Sequence, residues 1–419
     1  MATVFETSNL TARARAIDAR IHKMQDEGQL QRLHCAVIKD IGPSCVNRDM
    51  SGEQKTITYG GVRRMFVSSQ SIWQRPRQDE LNDVFRTRRI ALYMNSRLRK
   101  DLPGHSDEWY NYAASTASPS KDSSKDAEDK KEPLATYSEA DIEEMVAIIN
   151  ENFQPSSEKK EDLEKEAKRV QGIMQKAMKE TAMERAVNVS IASFGRMSTD
   201  ERFNTIYGSM YRSHAIGISQ YSDEVNDYSA TDQYLLFLKQ QAGLDQNAVG
   251  MLETDNCNTG LLLFQFIDDP AIFIRNILRG QDINDEAVWE RAVKLCNETQ
   301  AKRIHQLVNY IPSGKQHSYA TNPVPLLVVC TFTNGMAHTL EGAFADPVTA
   351  TKDTSFEENA VNKLVDYLDD DTFYDPECDR VTRLWVAGSR FKNAPKDAKR
   401  TDLKGLLSLV RKGEAYAHD

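Results

Sequence analysis

One stretch constrains this chain more than any other: Pro325–Phe332, Pro-Leu-Leu-Val-Val-Cys-Thr-Phe, is apolar at nearly every position. A continuous apolar run of that length, bounded by polar residues, reads as a strand buried on both faces. Leu33–Lys39, closed by Gly42-Pro43, reads the same way. Ala215–Ile218 and Leu261–Phe266 are two further strands. They bracket a long polar stretch, 219–259, which contains the amphipathic piece Tyr234–Leu238 and as a whole fits a protruding hairpin. Thr56–Tyr59 and Met65–Val67 flank Gly60-Gly61, extended segments around a tight turn.

Helical periodicity covers residues 1–30, a pattern through Leu81, Val84, Phe85 and Leu92, and the chain from Asp141. It recurs over Glu158–Arg185 and 284–308, and the final eighty residues read as helical and acidic, ending in Leu403–Val410. Ser68 is a candidate N-cap, and Pro76 limits or kinks the helix it starts. Val187, Val189 and Ile191 alternate into Gly195-Arg196-Met197. Residues 113–133 are polar, charge-mixed and of low complexity; they bury too little apolar area to offset ordering, so disorder is expected. This order predicts an α+β fold, compatible with a βαββαβ ferredoxin-like core and nearly as well with an irregular α+β domain.

Charge separates the function classes. The chain of 419 residues carries 53 Lys+Arg and 62 Asp+Glu, net −9, which alone counts against a nucleic-acid binder. Residues 1–100 hold 18 basic and 10 acidic side chains, net +8, leaving −17 on the remainder. Most cations between residues 41 and 100 are Arg, the residue whose planar fork grips phosphate. The six cysteines are scattered without CxxC spacing, against a zinc site or disulfide framework and in keeping with a cytoplasmic setting. No apolar run of about 20 residues predicts a membrane span, and the first residues lack the apolar core of a secretory signal.

Enzyme readings find little support. His214 reads first as a satisfied structural histidine, with a general base as the alternative. Ser313-Gly314-Lys315 resembles the end of a P-loop without its upstream Gly or following Ser/Thr. Asp369–Asp371 with Asp375 and Glu377 are candidate oxygen ligands for a hard cation, or a solvated acidic loop. No metal site or cofactor is expected. The basic constellation is stronger: Arg48, Lys55, Arg63, Arg64, Arg75 and Arg77 are interleaved with Gly60-Gly61 and Ser68-Ser69-Gln70-Ser71. Glycines permit close approach, arginines supply charge-assisted bonds, and a Ser-capped helix end adds N–H donors. That pattern predicts backbone-directed nucleic-acid binding, without a base-reading motif.

These residues resemble a known family. Pro43–Asp49 (Pro-Ser-Cys-Val-Asn-Arg-Asp), Gln54-Lys55, Gly60-Gly61-Val62-Arg63-Arg64 and Ser68–Ser71 are similar to the N-terminal signature of the CasC family, the backbone subunit of the type I-E CRISPR Cascade surveillance complex. Ala192–Met197, Ser213–Ile216, Thr259-Gly260, Pro312–Ala320 and Leu403–Glu414 follow in the family's order. The resemblance implies a modified RNA-recognition-motif (ferredoxin-like) palm with a helical fingers insertion and a β-hairpin thumb. It divides the chain into an N-terminal extension (1–32), a first palm part (33–77), fingers (78–186), the rest of the palm (187–340) with a thumb at 220–256, and a C-terminal helical region (341–419).

It further implies a non-catalytic protein that polymerises with copies of itself along a CRISPR RNA. The guide bases are left free to pair with target DNA, beside large, small, tail and RNA-processing Cascade subunits. Arg48, Lys55, Ser68, Gln70 and Arg77 match positions that touch the RNA backbone, and Met197 one that presses on bases near a displaced nucleotide. Leu252 falls on an apolar thumb position, Tyr228 on one of an aromatic pair whose second member is Ser229, and Trp73 on a basic position, where Arg75 replaces the charge nearby or Trp73 itself stacks on the RNA. Lys315 lies in the Pro312–Ala320 match, and Arg63 and Arg64 in the first block. Two other readings stay open: a metal-dependent RNA-cleaving backbone of the type III kind, using Asp49, and an α+β protein whose arginines serve an unrelated partner.

Overall fold

The computed structural model describes residues 4–79, 84–118, 134–198, 200–222, 224–243, 249–370 and 381–415. Residues 119–133 of the low-complexity tract lie outside them, as do Asp371, Asp375 and Glu377. Helix α1 (Val4–Asp26) precedes strands β1 (Arg32–Ser44), β2 (Thr56–Tyr59) and β3 (Val62–Val67) and two short helices, α2 (Ser69–Ile72) and α3 (Gln74–Gln78). Then come β4 (Val84–Thr87), α4 (Ile90–Asp101), α5 (Asp107–Ser115), β5 (Ala135–Ser138), α6 (Glu139–Asn152) and α7 (Lys160–Thr181). The chain continues through α8 (Val189–Phe194), β6 (Met210–Arg212), β7 (Ala215–Gly217), β8 (Glu224–Thr231), α9 (Gln233–Gln241) and β9 (Val249–Asp268). Last are α10 (Pro270–Ile277), α11 (Glu286–Asn309), α12 (Gln316–Tyr319), β10 (Pro325–Thr333), α13 (Phe356–Asp369), β11 (Val381–Ala387), β12 (Ala398–Arg400) and α14 (Leu403–Lys412).

Among the described residues one large sheet runs β12-β11-β10-β1-β9-β7-β3-β2, with β6 and β8 also paired to β9. It is antiparallel throughout except for the β11–β12 pair. The period-2 alternation of the central strands sorts their side chains into two layers. Leu33, Cys35, Val37, Leu262, Phe264, Phe266, Val328, Cys330 and Phe332 point to one face, packed with Ala301, Ile304 and Leu307 of α11 and Leu406, Leu407 and Val410 of α14. Ala36, Ile38, Leu261, Leu263, Leu327 and Val329 point to the other, under Ala360, Val361 and Leu364 of α13. β10 is thus covered on both faces and paired on both edges, by β1 and β11.

A second core belongs to α4–α7, where Met94, Leu98, Trp109, Ile149, Leu163, Val170 and Met174 meet. The small β4–β5 ladder lies at its base. A third joins Ile17 and Ile21 of α1 to Phe273, Ile274 and Trp289.

Several elements differ from the sequence reading. β1 passes through Gly42-Pro43 to Ser44, its register against β9 shifting there in a bulge that accommodates the missing N–H of proline. Val84 and Phe85 form a strand, not the start of a helix. The Val187–Ile191 alternation becomes helix α8, because Asn188 caps it by accepting the N–H of Ile191. Residues 113–118 are not disordered: Ala113, Ala114, Thr116, Ala117 and Ser118 are buried. The C-terminal region holds strand β11, with Leu384 and Trp385 in the core. No helix among the described residues is long and apolar enough to cross a membrane.

Candidate nucleic-acid interface

The segment after β1 folds back on itself around one buried amide. Gln54 donates its Nε2 to the carbonyls of Lys55 and Phe66 at 3.1 and 3.0 Å. Its Oε1 accepts the N–H of Asn47, while the N–H of Lys55 donates to the Asn47 carbonyl. The Oδ1 of Asn47 accepts the N–H of Ser68 at 2.9 Å, tying the loop to the start of α2. A buried, satisfied amide of this kind fixes backbone geometry without offering its own group to a ligand. What reaches solvent is Arg48, with Lys55 half-buried beside it.

A distant segment adds a third cation. A Cβ on Gly314 would stand 2.7 Å from the carbonyls of Cys45 and Val46, so only glycine lets that loop lie against the end of β1. The next residue, Lys315, adopts a left-handed φ of 49° at the head of α12. Burial raises the Cys45 thiol pKa, with Lys315 and Arg48 pulling against it and Asp49 and Cys257 adding to it, so both cations act on the residue that follows β1. Asp49 closes a turn, its Oδ1 accepting the N–H groups of Ser51 and Glu53 at 2.8 and 3.1 Å. Among the described residues no three His, Cys, Asp or Glu stand together as a metal site.

Along α2 and α3 the surface continues. Ser68 spends its hydroxyl on the N–H of Ser71 as the helix cap. His214 has a structural role, its Nδ1 accepting the N–H of Ser69 at 2.9 Å. Gln70 is exposed and its carbonyl receives Arg77 at 3.4 Å. Pro76 sits in the first turn of α3, where its missing N–H costs nothing. Arg75 is exposed and stacks over Tyr310 at 4.5 Å; Arg63 is exposed, bonded to Thr56 and laid over Tyr221.

Two sequence-derived candidates turn inward. Arg64 is fully buried and donates to the carbonyls of Tyr59, Gly217, Phe344 and Ala345, clamping β3 to its neighbours β2 and β7 and to the 344–345 segment. Trp73 is also fully buried, edge-on to Phe266 at 5.5 Å, and is a core residue rather than a stacking platform. Arg64 faces away from Met65, its neighbour on β3 that joins the sheet core, whereas Trp73 ends α2 and packs with Ile72 into that core.

Met197 is 81% exposed on a loop that is otherwise firmly held. Gly195 takes a φ of 77° where a Cβ would meet the Ile206 carbonyl at 2.7 Å, and Arg196 pairs with Ile206 through its backbone. The Arg196 side chain is buried against Asp141 of α6 at 2.6 Å. The same carboxylate takes Arg185 at 2.9 Å. Tyr228 and Ser229 lie on β8, opposite Glu253 and Leu252 of β9, and the side chains of Tyr228 and Leu252 are outside the described residues.

Beside Met197 opens a cleft of about 690 Å³, lined among others by Arg77, Arg86, Phe194, Tyr207 and Arg212. Arg86, Arg212 and Asp141 are not among the sequence candidates, and Phe194 enters there only within the Ala192–Met197 match. Arg86 lies inside the arginine-rich stretch and carries that signal; Arg212 has none, since only the fold brings β6 against α3.

A family model described as "CT1975-like protein" matches residues 33–409. Among solved structures, a chain from a "CRISPR RNA-guided surveillance complex, pre-nicking" is similar with a TM-score of 0.68 and 19% identity, covering 90% of this chain and 100% of that one. Another, from a "CRISPR RNA-guided surveillance complex", gives a TM-score of 0.60 and 17% identity over 90% and 99%. No curated protein matches the chain. At these identities the structural likeness concerns the fold.

Proposed function

The chain belongs to the CT1975-like family, and from that premise we propose that it is a CRISPR RNA-binding backbone subunit of a Cascade-type surveillance complex, of the type I-E kind. In this reading it is not an enzyme. Copies of the chain line up along one guide, grip its phosphates and leave its bases to pair with target DNA, in company with the other Cascade subunits. The β8–β9 hairpin serves as the thumb and α4–α7 as the fingers.

The observation that carries the reading is the basic face assembled from three separate chain segments. Arg48 and Lys55, Gln70 and Arg77, and Lys315 are tied to one another through Asn47, Gln54, Ser68 and the Gly314 contact. Sequence-independent backbone binding needs such a row of cations and needs no base-edge donors, because guide pairing supplies the specificity. Two solved structures of similar fold come from complexes described as RNA-guided, which supports the assignment. The turn-closing role of Asp49 favours this reading over RNA cleavage.

The test is co-expression with the other subunits and a CRISPR array, followed by purification and sizing of the bound RNA. Wild type retains a small RNA of uniform length. Arg48→Ala with Lys55→Ala lowers retention, more steeply as salt rises. A purified complex without RNA refutes the assignment, and regular cleavage of complementary RNA that vanishes in Asp49→Ala refutes its non-catalytic part.

A further inference from the structure

Away from the basic face, a groove of about 1060 Å³ lies between α1, the first half of α11 and the end of α14. One wall, α1, precedes the residues 33–409 that the family model matches, so the family likeness does not account for this surface. That wall is firmly seated. Ile17 and Ile21 are buried in one cluster with Phe273 and Trp289, Arg13 donates to the carbonyls of Leu278 and Gln281, and Asp18 pairs with Arg275.

The floor of the groove is apolar, with Met24, Val293 and Trp289, and five cations against three acids line it. Two of the acids are taken: Glu286 by Arg20, and Glu27 by Lys23 at 3.7 Å. Lys294 and Arg411 are exposed and, like Glu290, in no ion pair among the described residues. Lys412, beside Arg411, meets the exposed Glu414 at 3.7 Å. A net positive groove with an apolar floor suits an acidic surface that carries one aromatic or aliphatic anchor.

The opposite face of the sheet presents such a surface. α13 covers that face, and at its C-terminal end Asp366 and Asp370 are exposed, four residues apart and on one side of the helix. No basic residue stands in its last turn. Carboxylates there oppose the helix macrodipole, so a cation from outside is favoured. Tyr367 is 40% exposed and lies across Gly342, where a Cβ would stand 2.7 Å from its hydroxyl. The ring is thereby held beside the two acids.

We propose that the groove takes the end of α13 of a second copy, Tyr367 reaching the apolar floor and Asp366 and Asp370 meeting Lys294 and Arg411. Groove and α13 lie on opposite faces of one sheet, α11 and α14 on one side and α13 on the other. The contact is therefore heterologous, leaving a free groove at one end and a free α13 at the other, and copies add head to tail. Neither surface contains Arg48, Lys55, Gln70, Arg77 or Lys315, so the contact leaves the proposed guide-binding face open. The interface rests on the reading above for its purpose, and gives the copies aligned on a guide a direct protein contact.

The experiment is sedimentation velocity of the full chain, freed of RNA, across a concentration series at low salt. Wild type grows beyond a dimer as concentration rises. Lys294→Gln with Arg411→Gln, and separately Asp366→Asn with Asp370→Asn, each weaken association about tenfold. All four positions are exposed, and circular dichroism confirms that both variants fold. Mixed in equal amounts, the two variants form a heterodimer that does not grow, because one supplies an intact α13 and the other an intact groove. A monomeric wild type, a variant that associates as wild type does, or a mixture no more associated than its parts overturns the interface. RNA retention by the co-expressed complex is scored separately. Self-association without retained RNA keeps the interface and refutes the function, and retained RNA without self-association does the reverse.

Discussion

Replacing Asp141 with Asn removes the charge that holds two buried guanidiniums. Asp141 lies in the first turn of α6, and its own pKa is pushed up by burial but brought below the ordinary carboxylate value by Arg196, the Ser138 backbone N–H and Arg185. It is therefore ionised at neutral pH. Its side chain is 1% exposed, against 3% for Arg196 and 5% for Arg185. Arg185 keeps a second carboxylate, Glu144, at 2.7 Å. Among the described residues Arg196 keeps no other carboxylate, only the Asn204 carbonyl at 3.4 Å and the Phe203 ring at 5.3 Å, so Asp141→Asn leaves Arg196 as the uncompensated charge. Breaking one side of a buried pair costs about 3–5 kcal/mol. Hydrogen exchange of the α6 amides, residues 139–152, reads that loss locally. At about 1.4 kcal/mol per tenfold, exchange accelerates by roughly two to four powers of ten. Asp141→Asn with Arg196→Met removes both charges and recovers most of the protection, because an apolar replacement of similar volume is often neutral. Acceleration of less than tenfold, or a double variant no better protected than the single, refutes the idea that a stranded charge sets the cost.

Two further outcomes follow from buried groups. Burial lowers the pKa of His34 to about 4, against the raising effect of its hydrogen bond to Gln265. The folded chain therefore excludes a proton that the unfolded chain binds below its ordinary pKa. Stability is constant above that value and falls by about 3 kcal/mol as pH drops from about 6.5 to 4; His34→Gln flattens this part of a pH series of urea midpoints, and an unaltered slope rejects the assignment. Trp73→Ala costs about 3–5 kcal/mol of stability through lost core packing, whereas Trp73→Phe stays folded and binds single-stranded RNA as wild type does. A selective loss of RNA binding in the folded Phe variant returns Trp73 to the surface role the sequence implied.

The central strands were legible because their composition speaks for itself. Pro325–Phe332 and Leu33–Lys39 are apolar on both parities, and only a doubly covered sheet satisfies that. β11 was not legible: Leu384-Trp385-Val386 is short and set among charges, and it is a strand only because β10 offers an edge some fifty residues away in the chain. Val187, Val189 and Ile191 occupy positions that suit either period, and the Asn188 cap decided for helix. At the site, residue types identified the cations but not their directions. Arg64 and Arg63 are neighbours on one strand and therefore face opposite ways, Arg64 toward four carbonyls from three separate places in the chain. Arg212 gained its significance only when β6 came to lie near α3, a long-range event with no local signature.

β9 changes partners without changing course. Over residues 258–268 it is bonded to β1, and over 249–257 to β8, yet it is a single strand of 20 residues. At about 3.3 Å per residue it reaches roughly 66 Å. Such a strand is a lever with its fulcrum in the sheet: a force on the hairpin end arrives between β1 and β7 as a torque. It is also a ruler. If copies stack in an array, as proposed, the distance at which one hairpin meets its surroundings is set by a count of residues in one strand, so deleting two consecutive residues from β8 and the two facing them from β9 shortens the ruler by about 7 Å while preserving the face of every remaining side chain.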